Sequence, residues 1–512
     1  MSENAPSVII IGAGIAGLSA GVYAQANGFQ TRIYELHSQP GGLMTSWKRK
    51  GYTIDGCIHW LTGSAPGAAF YTLWEEIGLI QNREIFNPEV FSRMEGPDGK
   101  VLKIYANADK LEQHLLELAP EDAAAIKEMC KTVRICSRFD PPAAYDTGLA
   151  GLGRLLRSLP GLAMAMPRLG KLMPMTIAEY TTRFKNAFLR EALNAIWFEK
   201  MSAAALLMTL GWLHSGQAGY PIGGSLPMAR AVEKRFCDLG GEIHYNSRVE
   251  KIVVENHTAV GVKLADGRVE RADYIISAAD GYNTLFKMLN DKYVTPEFKG
   301  LYEKGEIFPP LLFIGLGVSK KMDDPELYGI TGGQRYHFDD PIEIAGEPVR
   351  MMDLMIYNFD PTLSPEGKTV ITLMHPTSYS YWKELAEEPE RYQAEKERIA
   401  LEYIQRLDRR FPGLAGQVEM ADVATPLTFE HYTGNWQGSF EGWLPTPSQM
   451  MKGISKTLPG LANFYMVGQW VQAGGGLPSG VTTGRQVVQM ICKDAGKRFR
   501  GKGTGKKRGL GG

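Results

Sequence analysis

The run Val8-Ile9-Ile10-Ile11, followed at once by Gly12-Ala13-Gly14-Ile15-Ala16-Gly17, constrains the fold more than any other stretch of the chain. A continuous β-branched run is what a strand needs when both of its faces are buried in a parallel sheet. Leu18 to Asn27 has helical composition, Gly28 ends it, and Thr31-Arg32-Ile33-Tyr34-Glu35 reads as a second strand closing on an acid. Three glycines at this spacing are a weak sign by themselves in a chain with 58 glycines. Set between a strand and a helix, with an acid about 20 residues further on, they predict a dinucleotide-binding βαβ unit. Gly12 permits the tight turn, Gly14 lets the backbone approach a pyrophosphate, and Gly17 lets helix and strand pack closely. The helix start offers free N–H groups and partial positive charge to phosphates. Glu35 offers acceptors to ribose hydroxyls. Taken alone, this unit admits NAD or FAD.

The rest of the 512 residues is long enough for two or three cores. Residues 108 to 215 are mostly helical in composition. An α/β pattern returns between 225 and 290, with a helix through Ala229–Leu239, short strands at Glu242–Tyr245, Val249–Glu255 and Ala259–Leu264, and a hairpin turn at Asp266-Gly267. Residues 305 to 430 mix strand-like runs, Leu311–Val318 and Thr369–Met374 among them, with one helix around Tyr392–Phe411. Phe464-Tyr465-Met466-Val467 is another buried-strand signature, and a helix over Thr483–Lys493 closes the chain. The order predicts an α/β fold: a discontinuous Rossmann-type dinucleotide domain from 1–75, 225–290 and 455–495. A mixed-sheet and helical substrate domain from 76–224 and 291–454 is inserted into it. Residues 496–512, basic and glycine-threaded, read as a solvated tail or a weak patch for anionic lipid. Gly315-Leu316-Gly317 follows a strand but has neither the third glycine nor a helical start, so a dedicated NAD(P)H domain is not expected.

Lys+Arg and Asp+Glu are equal at 56 each, which gives no footprint for nucleic acid. The five cysteines show no CxxC spacing, so neither a disulfide framework nor a zinc or other metal site is indicated. A reducing compartment fits. The first apolar run is too short for a cleavable signal, and no uninterrupted run reaches the ~18–20 residues of a spanning helix. The expected location is cytoplasmic, with peripheral contact at the inner face of a membrane.

Pro40-Gly41-Gly42-Leu43-Met44-Thr45-Ser46 comes directly after the second strand, where NAD enzymes normally continue into a helix. Its paired glycines let backbone pass beneath a large flat ligand. With the segment Gly51-Tyr52-Thr53-Ile54-Asp55-Gly56-Cys57-Ile58-His59-Trp60, the chain here resembles the FAD-dependent amine oxidases and carotenoid desaturases. It looks most like the phytoene desaturase, carotenoid isomerase and retinol saturase branch. Tyr220-Pro221-Ile222-Gly223-Gly224-Ser225, Asn246-Ser247-Arg248-Val249, Ser277-Ala278-Ala279-Asp280, Val467-Gly468-Gln469-Trp470 and Gly474-Gly475-Gly476-Leu477-Pro478-Ser479-Gly480 extend the resemblance nearly to the end. Two positions depart from the family's pattern. Leu43 stands where an arginine usually balances pyrophosphate charge, and neutral Gln469 stands where an acid usually holds the ribityl chain.

The resemblance implies FAD as cofactor. It implies contacts from Gly12, Ala13, Gly14, Ile15, Ala16, Gly17, Glu35, Leu36, Gly41, Gly42, Leu43, Met44 and Thr45 at the N-terminal end. Ile58, His59, Trp60, Val249 and Ala279 follow, with Gly468, Gln469, Gly476, Leu477, Pro478, Gly480 and Val481 at the C-terminal end. It also implies an apolar polyene or isoprenoid-like substrate whose C=C or C–C bonds are desaturated, saturated or isomerised. The electron partner would be a quinone, oxygen or an external reductase. His59 is the first acid–base candidate, with His431 and Tyr432 behind it. The stretch Leu152 to Met175, with Arg154, Arg157, Arg168 and Lys171 among Leu and Met, suits either interfacial lipid contact or a helical cap with a Met-rich inner side. A flavin amine oxidase and a non-catalytic FAD-containing lipid carrier are the alternatives.

Overall fold

Val8, Ile9 and Ile10 are fully buried at the centre of a five-stranded parallel sheet. The structure, a computed structural model, describes residues 5–96, 98–139, 149–450 and 452–501, and side chains throughout these except 149–158 and 162. The sheet runs in the order Glu242–His244, Gln30–Tyr34, Ser7–Ile11, Tyr274–Ser277, Phe464–Met466, so three separated stretches of chain supply its strands. Ile10 lies between Ile33 and Ile276 in register. Alternation along the central strand assigns its two faces. Val8, Ile10, Ile33 and Ile276 pack with the helices Ile15–Ala26, Ser225–Asp238 and Gly476–Asp494. Ile9, Ile11 and Ile275 pack with an antiparallel three-stranded sheet of Val249–Glu255, Thr258–Leu264 and Val269–Arg271.

The helices Ile15–Ala26 and Gly476–Asp494 cross closely because glycine faces alanine. A Cβ on Gly480 would stand 2.7 Å from Ile15 Cγ2, and one on Gly484 only 2.9 Å from Ala20 N. A buried ion pair reinforces the crossing: Arg485 Nε lies 3.3 Å from Glu76 Oε2, both side chains nearly sealed from solvent, and Tyr23 donates to Glu76 at 2.8 Å. The C-terminal helix begins at Gly476 rather than Thr483. Low helix propensity in Gly-Leu-Pro-Ser-Gly hides that start, and the packing of Gly480 explains why it is there.

The second sheet has seven strands in the order Val418–Ala424, Leu311–Val318, Thr369–Pro376, Glu347–Ile356, Gln334–Ile344, Val90–Glu95, Val101–Tyr105. Its pairings are antiparallel except that between Gln334–Ile344 and Val90–Glu95. The helix Pro389–Arg410 covers one face. The hairpin of Ser46–Arg49 and Tyr52–Asp55 leans on the other. Cβ atoms on Gly315 and Gly317 would stand 2.8 Å from Ile54 and 2.5 Å from Tyr52, so these glycines make room for the hairpin. A helical layer of Ala108–Leu118, Ala123–Cys136 and Ala203–His214 shares a third core.

The chain's end is only partly the solvated tail expected. Phe499 lies against Tyr23 with ring centroids 5.9 Å apart, and the Arg485 guanidinium sits 4.9 Å from its ring. Lys497 donates to the Gly28 carbonyl, and Arg500 N to Asn27 Oδ1. An aromatic with a buried cation to cover does not stay in water. Lys506-Lys507-Arg508 lie outside the described residues, as do the side chains of Arg154 and Arg157. Among the described residues, no helix is long and apolar enough to cross a membrane.

Candidate active site

Two helix starts open on one cavity of about 1270 Å³, larger than the ~300–1,000 Å³ usual for a single small ligand. Neither start is capped by a side chain or carries an acid in its first turn, so their N–H dipoles are free for an anionic or electron-rich ligand. Gly12 adopts φ +98° and donates to Tyr34 O. At Gly17 a Cβ would fall 2.0 Å from Gly12 O, so no side chain fits without unmaking the turn. Gly41, at φ +114°, donates to Ala13 O and bridges to Gly14, laying the second glycine pair directly over the first.

Beneath this cradle, Glu35 accepts from Ala13 N at 2.6 Å and His37 N at 2.8 Å. Burial pushes its carboxyl up, while the amides of Ala13, His37 and Leu36 pull it back. Its remaining lone pairs face the cavity, where ribose hydroxyls would find them. At the far side Gly468, at φ +95°, donates to Thr483 Oγ1. Gln469 donates to Asn435 at 3.4 Å. The cradle therefore fits a dinucleotide by its free amides, its Cβ-free floor and its buried acid.

Most of the expected contacts line this cavity: Gly12, Gly14, Ile15, Ala16, Glu35, Leu36, Gly41, Gly42, Leu43 and Met44 from the N-terminal part. Ile58, His59, Trp60, Val249, Ala279, Gly468, Gln469, Gly476, Leu477, Pro478 and Gly480 line it as well. Ala13, Gly17, Thr45 and Val481 do not. Ala13 and Gly17 are buried in the turn, Thr45 accepts from Gln39, and Val481 points into the core.

Asp55 builds the next part of the wall. Fully buried, it accepts from Ser225 N, Ser225 Oγ, Cys57 N and Ile58 N at 2.5 to 3.1 Å. Burial raises its pKa and these donors counter that. The bonds clamp the turn 55–58 to the start of the helix Ser225–Asp238 and so present Ile58, His59 and Trp60 to the cavity. His59 has no hydrogen bond to any described residue. Burial, then the Arg335 charge, brings it down to about 4, so its imidazole is neutral near pH 7. Trp60 stands edge-on to Phe91 and Trp197.

Beyond His59 the cavity continues as an apolar chamber between the second sheet and the helical layer. Phe313, Met351, Met355 and Met374 come from the sheet; Met208 and Trp212 come from the helix Ala203–His214, and Trp197 from the connection before it. An ion pair interrupts the apolar wall, with Arg335 Nη2 2.6 Å from Asp353 and Nη1 donating to Ser92, and Glu347, Arg350 and His375 also line the cavity. Sequence reasoning missed this pair, the chamber walls and Glu441, since none sits in a local motif.

His431 and Tyr432 are not beside His59. Tyr432 packs edge-on to His37 and His431, at the Glu35 end of the cavity, and His431 is exposed and does not line it. The turn at Gly434 is held there by the bond from Asn283 Nδ2. No metal-holding cluster of His, Cys, Asp and Glu occurs among the described residues.

This is the architecture of a dinucleotide-dependent oxidoreductase with a second, apolar ligand chamber. The chain belongs to the flavin containing amine oxidoreductase family, whose model matches residues 15–492. It is an FAD-dependent oxidoreductase. It is 25% identical to the chloroplastic prolycopene isomerase of Arabidopsis thaliana, over 96% of this chain and 84% of that one. It is 24% identical to a lycopene-forming phytoene desaturase of Pseudescherichia vulneris, over 95% and 99%. Among solved structures, an oxidoreductase from Methanosarcina mazei shares the fold with TM-score 0.59 at 18% identity, over 94% of this chain and all of that one. A putrescine oxidase bound to putrescine does so with TM-score 0.58 at 13% identity, over 95% and 99%.

Proposed function

We propose that this oxidoreductase desaturates, saturates or isomerises C–C and C=C bonds of an apolar polyene or isoprenoid-like lipid. The observation that carries the reading is the apolar chamber of Phe313, Met351, Met355, Met374, Trp197, Met208 and Trp212, continuous with the two-helix cradle. Relatives named as a prolycopene isomerase and a phytoene desaturase support the same substrate class.

Bound FAD supplies the hydride exchange. The chain supplies the rest. Amides at Gly14–Ala16 and Gly42 would hold the pyrophosphate without a cation at Leu43, and Glu35 and Leu36 would hold the ribose. The start of the helix Gly476–Asp494 would stabilise negative charge on the reduced cofactor. Neutral His59 and the face of Trp60 orient the polyene, and the chamber excludes water. Anaerobic incubation of the flavoprotein with polyenes, retinoids and amines, followed by mass spectrometry, tests this. A polyene changed in bond order or geometry is expected. Flavin bleached by an amine, with every polyene untouched, would sink the reading.

The remaining assignments are of the same kind. Electrons exchange with a quinone, oxygen or a separate reductase. The protein works in the cytoplasm at the inner face of a membrane, meeting it through the helix Leu149–Leu172. There Leu159, Met164 and Met166 are each over 40% exposed, with Lys171 beside them. Changing these three to serine is expected to abolish co-sedimentation with anionic vesicles while FAD content stays constant.

A further inference from the structure

Glu441 sits on a turn with no freedom to move. Ser439 and Trp443 on either side are fully buried, Gly442 N donates to Ser439 Oγ, and Phe308 N donates to Gly442 O. The turn is pressed against the cofactor-side glycine loop. Cβ atoms on Gly475 and Gly476 would stand 2.2 Å from Glu441 O and 3.2 Å from Glu441 Oε1. The side chain lines the cavity at the mouth of the C-terminal helix. Its carboxyl makes no hydrogen bond and no ion pair with any described residue. By contrast the buried acids Glu35, Asp55 and Asp280 and the half-buried Asp353, which also line or border this cavity, all have partners. Glu441 is half-buried, and a carboxyl that faces a cavity with no protein partner is left for whatever enters the cavity.

Resting on the polyene reading above, we propose that Glu441 is a catalytic residue, the group that exchanges the proton accompanying hydride transfer at the substrate carbon. In the direction of double-bond formation, one C–H bond gives its hydrogen with both electrons to FAD. The neighbouring C–H bond gives a proton to the Glu441 carboxylate, and its electron pair becomes the new π bond. In saturation the same proton returns. Two titratable groups of the segment 56–60 line the same cavity, and Cys57 is the one that interacts with Glu441. Cys57 is kept protonated by burial and by the charges of Asp55 and Glu441, and His59 is neutral. The glycine loop and Gln469 bring no charge. Glu441 itself is pushed up to about 8 by burial, so both of its forms are populated near neutral pH, as proton exchange requires. His59, at about 4, is a far weaker base.

The test compares the FAD-loaded wild type with Glu441→Gln and Glu441→Asp. The Gln variant is expected to retain FAD and its reduction by dithionite, yet to transform polyene at least ~10²-fold more slowly, with partial recovery in the Asp variant. A second arm uses no substrate. The absorption of the bound oxidised flavin is followed across the alkaline range, where the wild type is expected to show a transition with a midpoint near 8 that the Gln variant lacks. An unchanged rate in the Gln variant, or a spectral transition that persists in it or is missing from the wild type, overturns the proposal. A wild type that titrates but transforms no polyene condemns the substrate class and supports the residue.

Discussion

Asp55 holds four donors in a space sealed from solvent, and this single side chain fixes where His59 and Trp60 stand. Asp55→Ala leaves the N–H groups of Ser225 and Cys57 without acceptors, each costing about 1–3 kcal/mol, while Ile58 N keeps Ser225 Oγ. A lower midpoint of urea unfolding, together with weaker FAD retention, is the expected outcome. Glu441 makes a different claim about pH. Its folded-state pKa lies above its unfolded value, so the folded protein binds the proton more tightly. Stability from this group is full below the ordinary glutamate range and is lost as pH rises to about 8. The Tm of the wild type relative to Glu441→Gln is therefore expected to fall between acid and mildly alkaline pH; a constant difference would contradict the shift. At this scale the glycines and Glu35 were legible in the sequence, because their roles depend on residues within one βαβ unit. Glu441, Arg335 and Asp353 were not, because their surroundings are assembled from strands and loops far apart in the chain. Tyr432 lines the cavity and His431 does not, and the helix that carries them, Pro426–Thr433, ends at the Glu35 end, where Asn283, 151 residues earlier than Gly434, bonds Gly434 O.

The crossing of the helices Ile15–Ala26 and Gly476–Asp494 brings two separate stretches of chain to one site. Its closeness depends on Gly480 and Gly484. Gly484→Val is expected to push the helices apart, with overpacking costing about 1–3 kcal/mol. Retained FAD should fall sharply while far-ultraviolet circular dichroism stays near that of the wild type; full FAD occupancy would refute this role for the crossing. The type of most elements was readable from the strand runs and helical composition. Their limits were less so where glycine is used for contact instead of for a turn, as at Gly476–Gly480. Gly315 and Gly317 show the same thing in a strand, where the missing side chains give space to Ile54 and Tyr52.

Across the whole molecule, the cofactor cradle and the apolar chamber are one continuous cavity whose walls come from the parallel sheet, the seven-stranded sheet and the helical layer. A ligand bridging these layers stabilises the folded state by mass action. FAD is thus expected to raise Tm in a concentration-dependent way, and a polyene to raise it further. The discontinuous α/β plan could be anticipated because strand runs recur in three separated stretches. The chamber could not, since its Met and Trp residues look like ordinary core in the sequence. The most direct measurement is the visible absorption of a polyene mixed anaerobically with the FAD-loaded protein, once with the flavin oxidised and once with it reduced. A shift of the polyene bands in at least one state, reporting a change in conjugation length or geometry, is the expected result. Unshifted polyene bands in both states, with the flavin reduced rapidly by an amine, would contradict it.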